Sequence, residues 1–147
     1  MTPRTDMPPR ASVIPSVGLD LCILETMVDP IVRDSAARLR RLEERRAQAA
    51  AERRSKAQAW ARDTTQVLVE ADPSVERVIG FGSTFEMWRP YRMNSDVDLG
   101  IVGGNWSRLT AALPSGPFEV SIVELELQNA EFTDYVLCNG TVLYEKR

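Results

Sequence analysis

The chain contains no histidine, which removes the commonest general base at neutral pH and the commonest zinc ligand. Its two cysteines, Cys22 and Cys138, match neither a disulfide framework nor a CxxC metal spacing. Any catalysis must therefore rest on carboxylates, hydroxyls or a bound metal ion. Long apolar runs are also missing: the longest near the start is interrupted by Asp20 and Glu25. Neither a membrane span nor a signal peptide is expected, and a cytoplasmic location follows. Glycine and proline are absent from Ile31 to Glu70, so nothing there forces the backbone out of a helix. Proline is instead concentrated at the start, with Pro3, Pro8, Pro9 and Pro15 among the first 28 residues. Residues 1–28 are accordingly read as a leader, disordered over at least the first fifteen or so.

What is present fits a soluble domain. A length of 147 residues with 44% hydrophobic and 27% charged side chains allows one modest core plus appendages. The net charge of −3 hides a polar arrangement. Residues 31–63 hold ten Lys/Arg against five Asp/Glu, net +5, whereas residues 71–147 hold six against eleven, net −5. The basic segment is read as a solvated helical face, with contact to RNA or to an acidic partner as the alternatives.

In "DPIVRD", Asp29 is suited to accept from the first free amides of a helix, and Pro30 has its φ set for the first helical position. A helix, straight or bent once, is expected from there to Pro73, which disfavours helical geometry at Asp72. Trp60, Thr64, Val67 and Leu68 recur at i, i+4, i+7 and i+8, the spacing of a core-facing stripe. The N-terminal half is thin in large apolar residues and is expected to project, to pair with a second copy, or to hold a partner. After Pro73 the period shortens. "VERVIGFG" (Val75–Gly82), "DVDLGIV" (Asp96–Val102) and "FEVSIVEL" (Phe118–Leu125) read as three core strands. A helix over Asn105–Leu113, capped by Asn105 or Ser107, lies between the last two. Another helix spans about Asn129–Cys138 with Cys138 in the core, Asn139-Gly140 ends it, and "TVLYE" is a final extended segment. The fold class is α+β: a small mixed sheet with flanking helices at 72–147, preceded by the long charged helix at 29–71.

Asp96 and Asp98 point to one side of their strand, with Val97 and Leu99 facing the core behind them. Two adjacent carboxylates repel unless a cation lies between them. A hard divalent ion resolves that conflict, and Mg²⁺ characteristically combines one or two carboxylates with nucleotide phosphates. Upstream, Gly80, Gly82 and Ser83 form a turn after a strand, where backbone amides and the Ser83 hydroxyl suit phosphate oxygens.

"FGS" (Phe81–Ser83) followed by "SDVDL" (Ser95–Leu99) resembles the signature of the DNA polymerase β-like nucleotidyltransferase superfamily. With the ending "GTVLYE", the stretch from about Val67 to Glu145 resembles its minimal prokaryotic members. The resemblance implies nucleotide phosphate binding at Gly82, Ser83 and Ser95, two Mg²⁺ ions on Asp96 and Asp98, and a nucleoside triphosphate, ATP, as substrate. Some members are antitoxins that transfer AMP to a tyrosine of a HEPN-type toxin, so the resemblance implies that activity and partner here. Two positions depart from the pattern. Glu86 and Met87 stand where the family has Arg-Gly, in a loop about two residues longer. Ser121 stands where the family has its third catalytic carboxylate. Glu119, two residues earlier on the same strand face but displaced by about 6.6 Å, is the substitute candidate.

Trp88, Arg89, Tyr91 and Arg92 offer base stacking and triphosphate contact in the loop, or simply pack it onto the domain. Glu124 and Glu126, at a strand end, read as solvated. The alternative overall is a degenerate nucleotidyltransferase fold that acts by binding a partner through the long helix.

Overall fold

The structure, a computed structural model, describes residues 29–147; the expected leader at 1–28 lies outside the described residues. The chain is α+β. One long helix, α1 (Pro30–Ala71), precedes β1 (Val75–Phe81), β2 (Val97–Gly103), α2 (Trp106–Ala112), β3 (Val120–Glu124), α3 (Ala130–Asn139) and β4 (Thr141–Glu145). Short 3₁₀ turns occupy Gly82–Thr84 and Leu125–Leu127. Among the described residues no helix is long and apolar enough to cross a membrane.

The helix starts as its sequence dictates: the Ile31 amide donates to Asp29 Oδ1 at 2.9 Å, with Pro30 in the first helical position. Cα packing divides the chain between Arg41 and Leu42. In residues 29–41 the helix is exposed and carries an Asp34–Arg38 ion pair at 2.7 Å. From residue 42 onward the helix belongs to the unit that contains the sheet.

Within that unit the buried helix positions are Ala57, Ala61, Thr64, Thr65 and Leu68. Val67, expected in the stripe, is 39% exposed instead. Thr64 and Leu68 of that stripe do face the core, joined by Ala57 and Ala61. Trp60 packs against the margin of this core.

The four strands are ordered β3-β2-β1-β4. β1 is antiparallel to both β2 and β4, while β2 and β3 run parallel, so the sheet is mixed. Its two faces are covered separately. Val78, Val97, Leu99, Ile101 and Ile122 join Ala57, Ala61 and Leu68 of α1 and Leu109 of α2 in the main core. Ile79 joins Leu125 and Val136 of α3 in a smaller cluster, with Phe81, Val102 and Phe132 packed on it. Strand alternation therefore sends Asp98, Gly100 and Val102 toward the α3 side.

Two helix ends follow their caps. Asn105 Oδ1 accepts from the Arg108 amide at 3.2 Å, and Asn129 Oδ1 from the Phe132 amide at 2.8 Å. Gly140 ends α3 as expected, at φ −78°; it is needed for space, since a Cβ there would lie 2.4 Å from Ile79 Cγ2. One expectation is corrected. Cys138 is exposed, not core. Val136 and Phe132, one helical turn apart, hold the inner face, and a residue two positions beyond Val136 points the opposite way.

Asp72, read only as a helix terminator, is a junction. It is buried; Oδ1 accepts from the Ser74 amide and hydroxyl, and Oδ2 from the Asn105 amide at 2.6 Å. These hydrogen bonds, the Ser74 hydroxyl first, lower its pKa below the ordinary 3.8 and outweigh desolvation.

Candidate functional site

β1 ends at Phe81, whose Cα pairs with that of Asp98 on the antiparallel β2. The chain then turns at Gly82, with φ +71°, a conformation that favours glycine. A Cβ at Gly82 would lie 2.5 Å from Asp98 Oδ2. The Gly-Ser turn and the second aspartate are thus in van der Waals contact, although sixteen positions separate them in the chain. Gly82→Ala is expected to weaken metal and nucleotide binding together and to cost about 1–3 kcal/mol of stability. Titration with Mg²⁺ and nucleotide, beside a denaturation curve, checks this.

The turn is fastened from three directions. Its own carbonyl at Gly82 accepts from the Phe85 and Glu86 amides at 3.1 and 2.8 Å. Thr84 is buried and its hydroxyl donates to the Asp96 carbonyl at 2.9 Å, which ties the two halves of the motif together. From α1, Arg54 Nε donates to the Ser83 carbonyl at 2.9 Å and Gln58 Nε2 to the Thr84 carbonyl at 2.8 Å.

Asp96 directly precedes β2 and is exposed; Asp98, within β2, is half-buried, and Val97 between them is fully buried. Burial pushes the Asp98 pKa above the ordinary 3.8, the Asp96 and Glu86 charges add to this, and only Arg89 opposes it. The position carries excess negative charge that a cation would relieve.

On the other side of Asp98 the parallel register sets Ser121 directly beside it. The strand begins at Val120 rather than Phe118, so Glu119 falls just ahead of it, with its carbonyl accepting from the Val97 amide at 2.8 Å. Glu119 is exposed. Among the described residues no three side chains from Asp, Glu, Cys or His form a group that could hold a metal ion. Asp96 and Asp98 therefore stand as a pair, without a third carboxylate converging on them.

Beside the turn opens a cleft of about 560 Å³ lined by Ser83, Trp88, Arg89, Pro90, Arg92 and Ser95, a volume in the range of small-molecule sites. Trp88 is 64% exposed. Two cations for phosphate, an accessible indole for a base and two serines define its chemistry. Ser95 is partly engaged: its hydroxyl accepts from the Arg92 amide at 3.1 Å while its own amide donates to the Arg92 carbonyl at 3.0 Å, closing the loop on itself. A separate hollow of about 370 Å³, lined by Trp106, Ile122, Val123, Glu124, Leu127 and Gln128, runs by β3 and contains none of these serines or aspartates.

Several features of the site were not legible in the sequence. Arg53 and Arg54 belong to the segment read as a solvated basic face. Yet Arg53 Nε donates to the Met93 carbonyl at 2.7 Å with its guanidinium 4.6 Å from the Phe118 ring, and Arg54 Nη2 donates to the Arg89 carbonyl at 2.6 Å. Arg54 also lies 5.2 Å from the ring of Tyr91. Tyr91 is half-buried and packs on the main core, so it anchors the loop rather than lining the cleft. Glu86, at an Arg-Gly position of the pattern, is fully buried and hydrogen-bonded by the Tyr135 hydroxyl of α3. No local spacing announces a pair 49 residues apart.

Comparisons with known proteins add little. No family model and no curated protein matches the chain. Among solved structures it is similar to the crystal structure of a mutant of the toxin-antitoxin MntA-HpeT, at 18% identity and a TM-score of 0.44, over 59% of this chain and 74% of that one. A likeness at that level assigns neither family nor activity.

Proposed function

We propose that this chain is a Mg²⁺-dependent nucleotidyltransferase that moves a nucleoside monophosphate, AMP from ATP, onto a protein hydroxyl: the hydroxyl oxygen bonds to the α-phosphorus, the α–β phosphoanhydride bond breaks, and pyrophosphate leaves. The observation that carries the reading is the contact between the Gly82 turn and the Asp98 carboxylate, beside a cleft that presents Ser83, Ser95, Arg89, Arg92 and Trp88. In this reading Asp96 and Asp98 hold the metal, and Gly82, Ser83 and Ser95 bind phosphate. Arg89 and Arg92 offset phosphate charge, and Trp88 stacks on the base. The raised pKa of Asp98, caused first by burial and then by Asp96, is what two carboxylates awaiting a cation are expected to show. Bound Mg²⁺ would neutralise charge on the phosphates and lower the pKa of the attacking hydroxyl. The protein's own part is then positioning: a turn fixed by Arg54, Gln58 and Thr84 holds the phosphate-binding backbone in register with the aspartates. Glu119, exposed just ahead of β3, is the carboxylate we assign to the acceptor's proton. The acceptor in this proposal is a partner protein of the HEPN toxin type.

The test is incubation with labelled ATP, Mg²⁺ and a co-encoded HEPN-type partner. Label is expected on the partner and is expected to disappear when the metal is chelated. Equal labelling by the wild type and by an Asp96→Ala/Asp98→Ala variant sinks the mechanism.

A second reading, that the domain binds nucleotide or partner without transfer, is favoured by one observation: Ser121, not a carboxylate, neighbours Asp98. Its signature is Mg²⁺-dependent ATP binding and toxin neutralisation with no label transferred.

A further inference from the structure

Glu86, Tyr135 and Arg89 form a closed ring at the mouth of the cleft. Arg89 Nη2 donates to the Tyr135 hydroxyl oxygen at 2.7 Å, and that hydroxyl donates to Glu86 Oε1. Arg89 Nε returns to Glu86 Oε2 at 3.3 Å, an ion-pair contact without hydrogen-bond alignment. The three residues come from two places, Glu86 and Arg89 from the loop after the Gly-Ser turn and Tyr135 from α3. Arg54 meanwhile holds the Arg89 carbonyl at 2.6 Å, so both the backbone and the side chain of Arg89 are anchored.

The burial in this ring is lopsided. The Glu86 side chain is 0% exposed and the Arg89 side chain 46%. A fully buried carboxylate is costly unless it is paired, and here its one cationic partner also lines the cleft. Guanidinium has five N–H donors. The ring hydrogen-bonds one hydrogen of Nη2 and sets Nε against the Glu86 carboxylate, which leaves both Nη1 hydrogens and the second Nη2 hydrogen outside it. Arg92, the other cation of the cleft, hydrogen-bonds among the described residues through its backbone with Ser95 and not through its guanidinium.

We infer that Glu86 and Tyr135 are positioning residues that preset Arg89 as the oriented phosphate-binding fork of the cleft, with a polyphosphate chain as the ligand it reads. The inference rests on the reading of this cleft as a nucleotide site. A flexible arginine must lose rotamer freedom on binding, whereas one held in advance does not. The arrangement explains why a glutamate is buried in a loop that otherwise needs none, and why Tyr135 points its hydroxyl inward from a helix whose other core contacts are apolar. It also gives each side chain a separable prediction. Arg89 touches the ligand; Glu86 and Tyr135 act only through Arg89.

The experiment is calorimetric titration of the full chain with Mg-ATP, inorganic tripolyphosphate and adenosine. Arg89→Ala is expected to weaken Mg-ATP and tripolyphosphate by about 10- to 100-fold, the value of a charge-assisted hydrogen-bonded contact, and to leave adenosine unchanged. Tyr135→Phe keeps the ring's packing and removes only its hydroxyl; a loss of about threefold to tenfold is expected, the cost of immobilising one long side chain. In the Arg89→Ala background Tyr135→Phe is expected to cost nothing further, an outcome a merely structural tyrosine would not give. Arg89→Lys restores charge without the fork and is expected to recover only part of the loss. If Glu86→Gln fails to fold, Tyr135→Phe still decides. Tight polyphosphate binding that survives Arg89→Ala, or additive effects in the double variant, overturns the inference while leaving the cleft a nucleotide site. Failure of the wild type to bind any of the three ligands overturns the nucleotide reading itself.

Discussion

Asp98→Asn is expected to abolish Mg²⁺-dependent transfer, by about 10³-fold or more, because the reaction loses a ligand for the ion that offsets charge in the transition state. The same change is expected to leave the metal-free protein no less stable than wild type. In the folded chain the charged form of Asp98 is disfavoured by burial and then by Asp96, so an uncharged isostere removes repulsion along with function. Thermal melts with and without Mg²⁺ separate the two effects: the wild type gains stability on adding the ion and the variant does not. The pH dependence has a defined sign. Since the folded pKa lies above the ordinary 3.8, Asp98 takes up its proton earlier than a free aspartate as pH falls. Metal affinity should therefore begin to fall at a higher pH than an unperturbed carboxylate would give. Without metal, the carboxyl is protonated more readily in the folded than in the unfolded chain. Its contribution to stability is thus greatest at low pH and is lost as pH rises through the folded value. An Asp98→Asn variant that transfers label at the wild-type rate would remove the aspartate from the mechanism.

Ser121→Asp is expected to act in the opposite direction. The parallel register sets Ser121 beside Asp98, and Ile122, next along the strand, is buried on the other face. A carboxylate introduced at 121 would therefore join the two aspartates, where it can complete the metal site or take a proton from the acceptor hydroxyl. General-base assistance is typically worth about 10²- to 10⁴-fold, and a gain of about 10²-fold in transfer is the expected result. The cost should appear without metal, as a lower melting temperature from three neighbouring negative charges that Mg²⁺ restores. An unchanged rate together with an unchanged Mg²⁺ dependence would show that residue 121 does not face the reacting centre.

How much of this was legible depended on the range of the interaction. Asp29-Pro30 predicted the start of α1 and Pro73 its end, because capping and φ restriction act within a few residues. Alternation predicted that Val97 and Leu99 would be buried beneath the two aspartates, but it took Glu119 for a strand residue when β3 begins only at Val120. Local periodicity erred where tertiary packing chose among apolar residues of one helix. Thr64 and Leu68 of the stripe face the core with Ala57 and Ala61, and Val67 does not. Cys138 misled for a related reason: an apolar residue on a short helix has no stated direction until Val136 and Phe132 have taken the inner face.

By itself the sequence determined the α+β order of elements, the helix caps and the paired carboxylates, all of which depend on neighbours within a turn or a strand. Only the tertiary structure decided the rest. It brought Gly82 against Asp98, Ser121 beside Asp98, Arg54 under the loop and Tyr135 onto Glu86. Each of these depends on strand pairing and layer packing, which set residues from distant segments within hydrogen-bonding or van der Waals reach and leave no periodic trace along the chain.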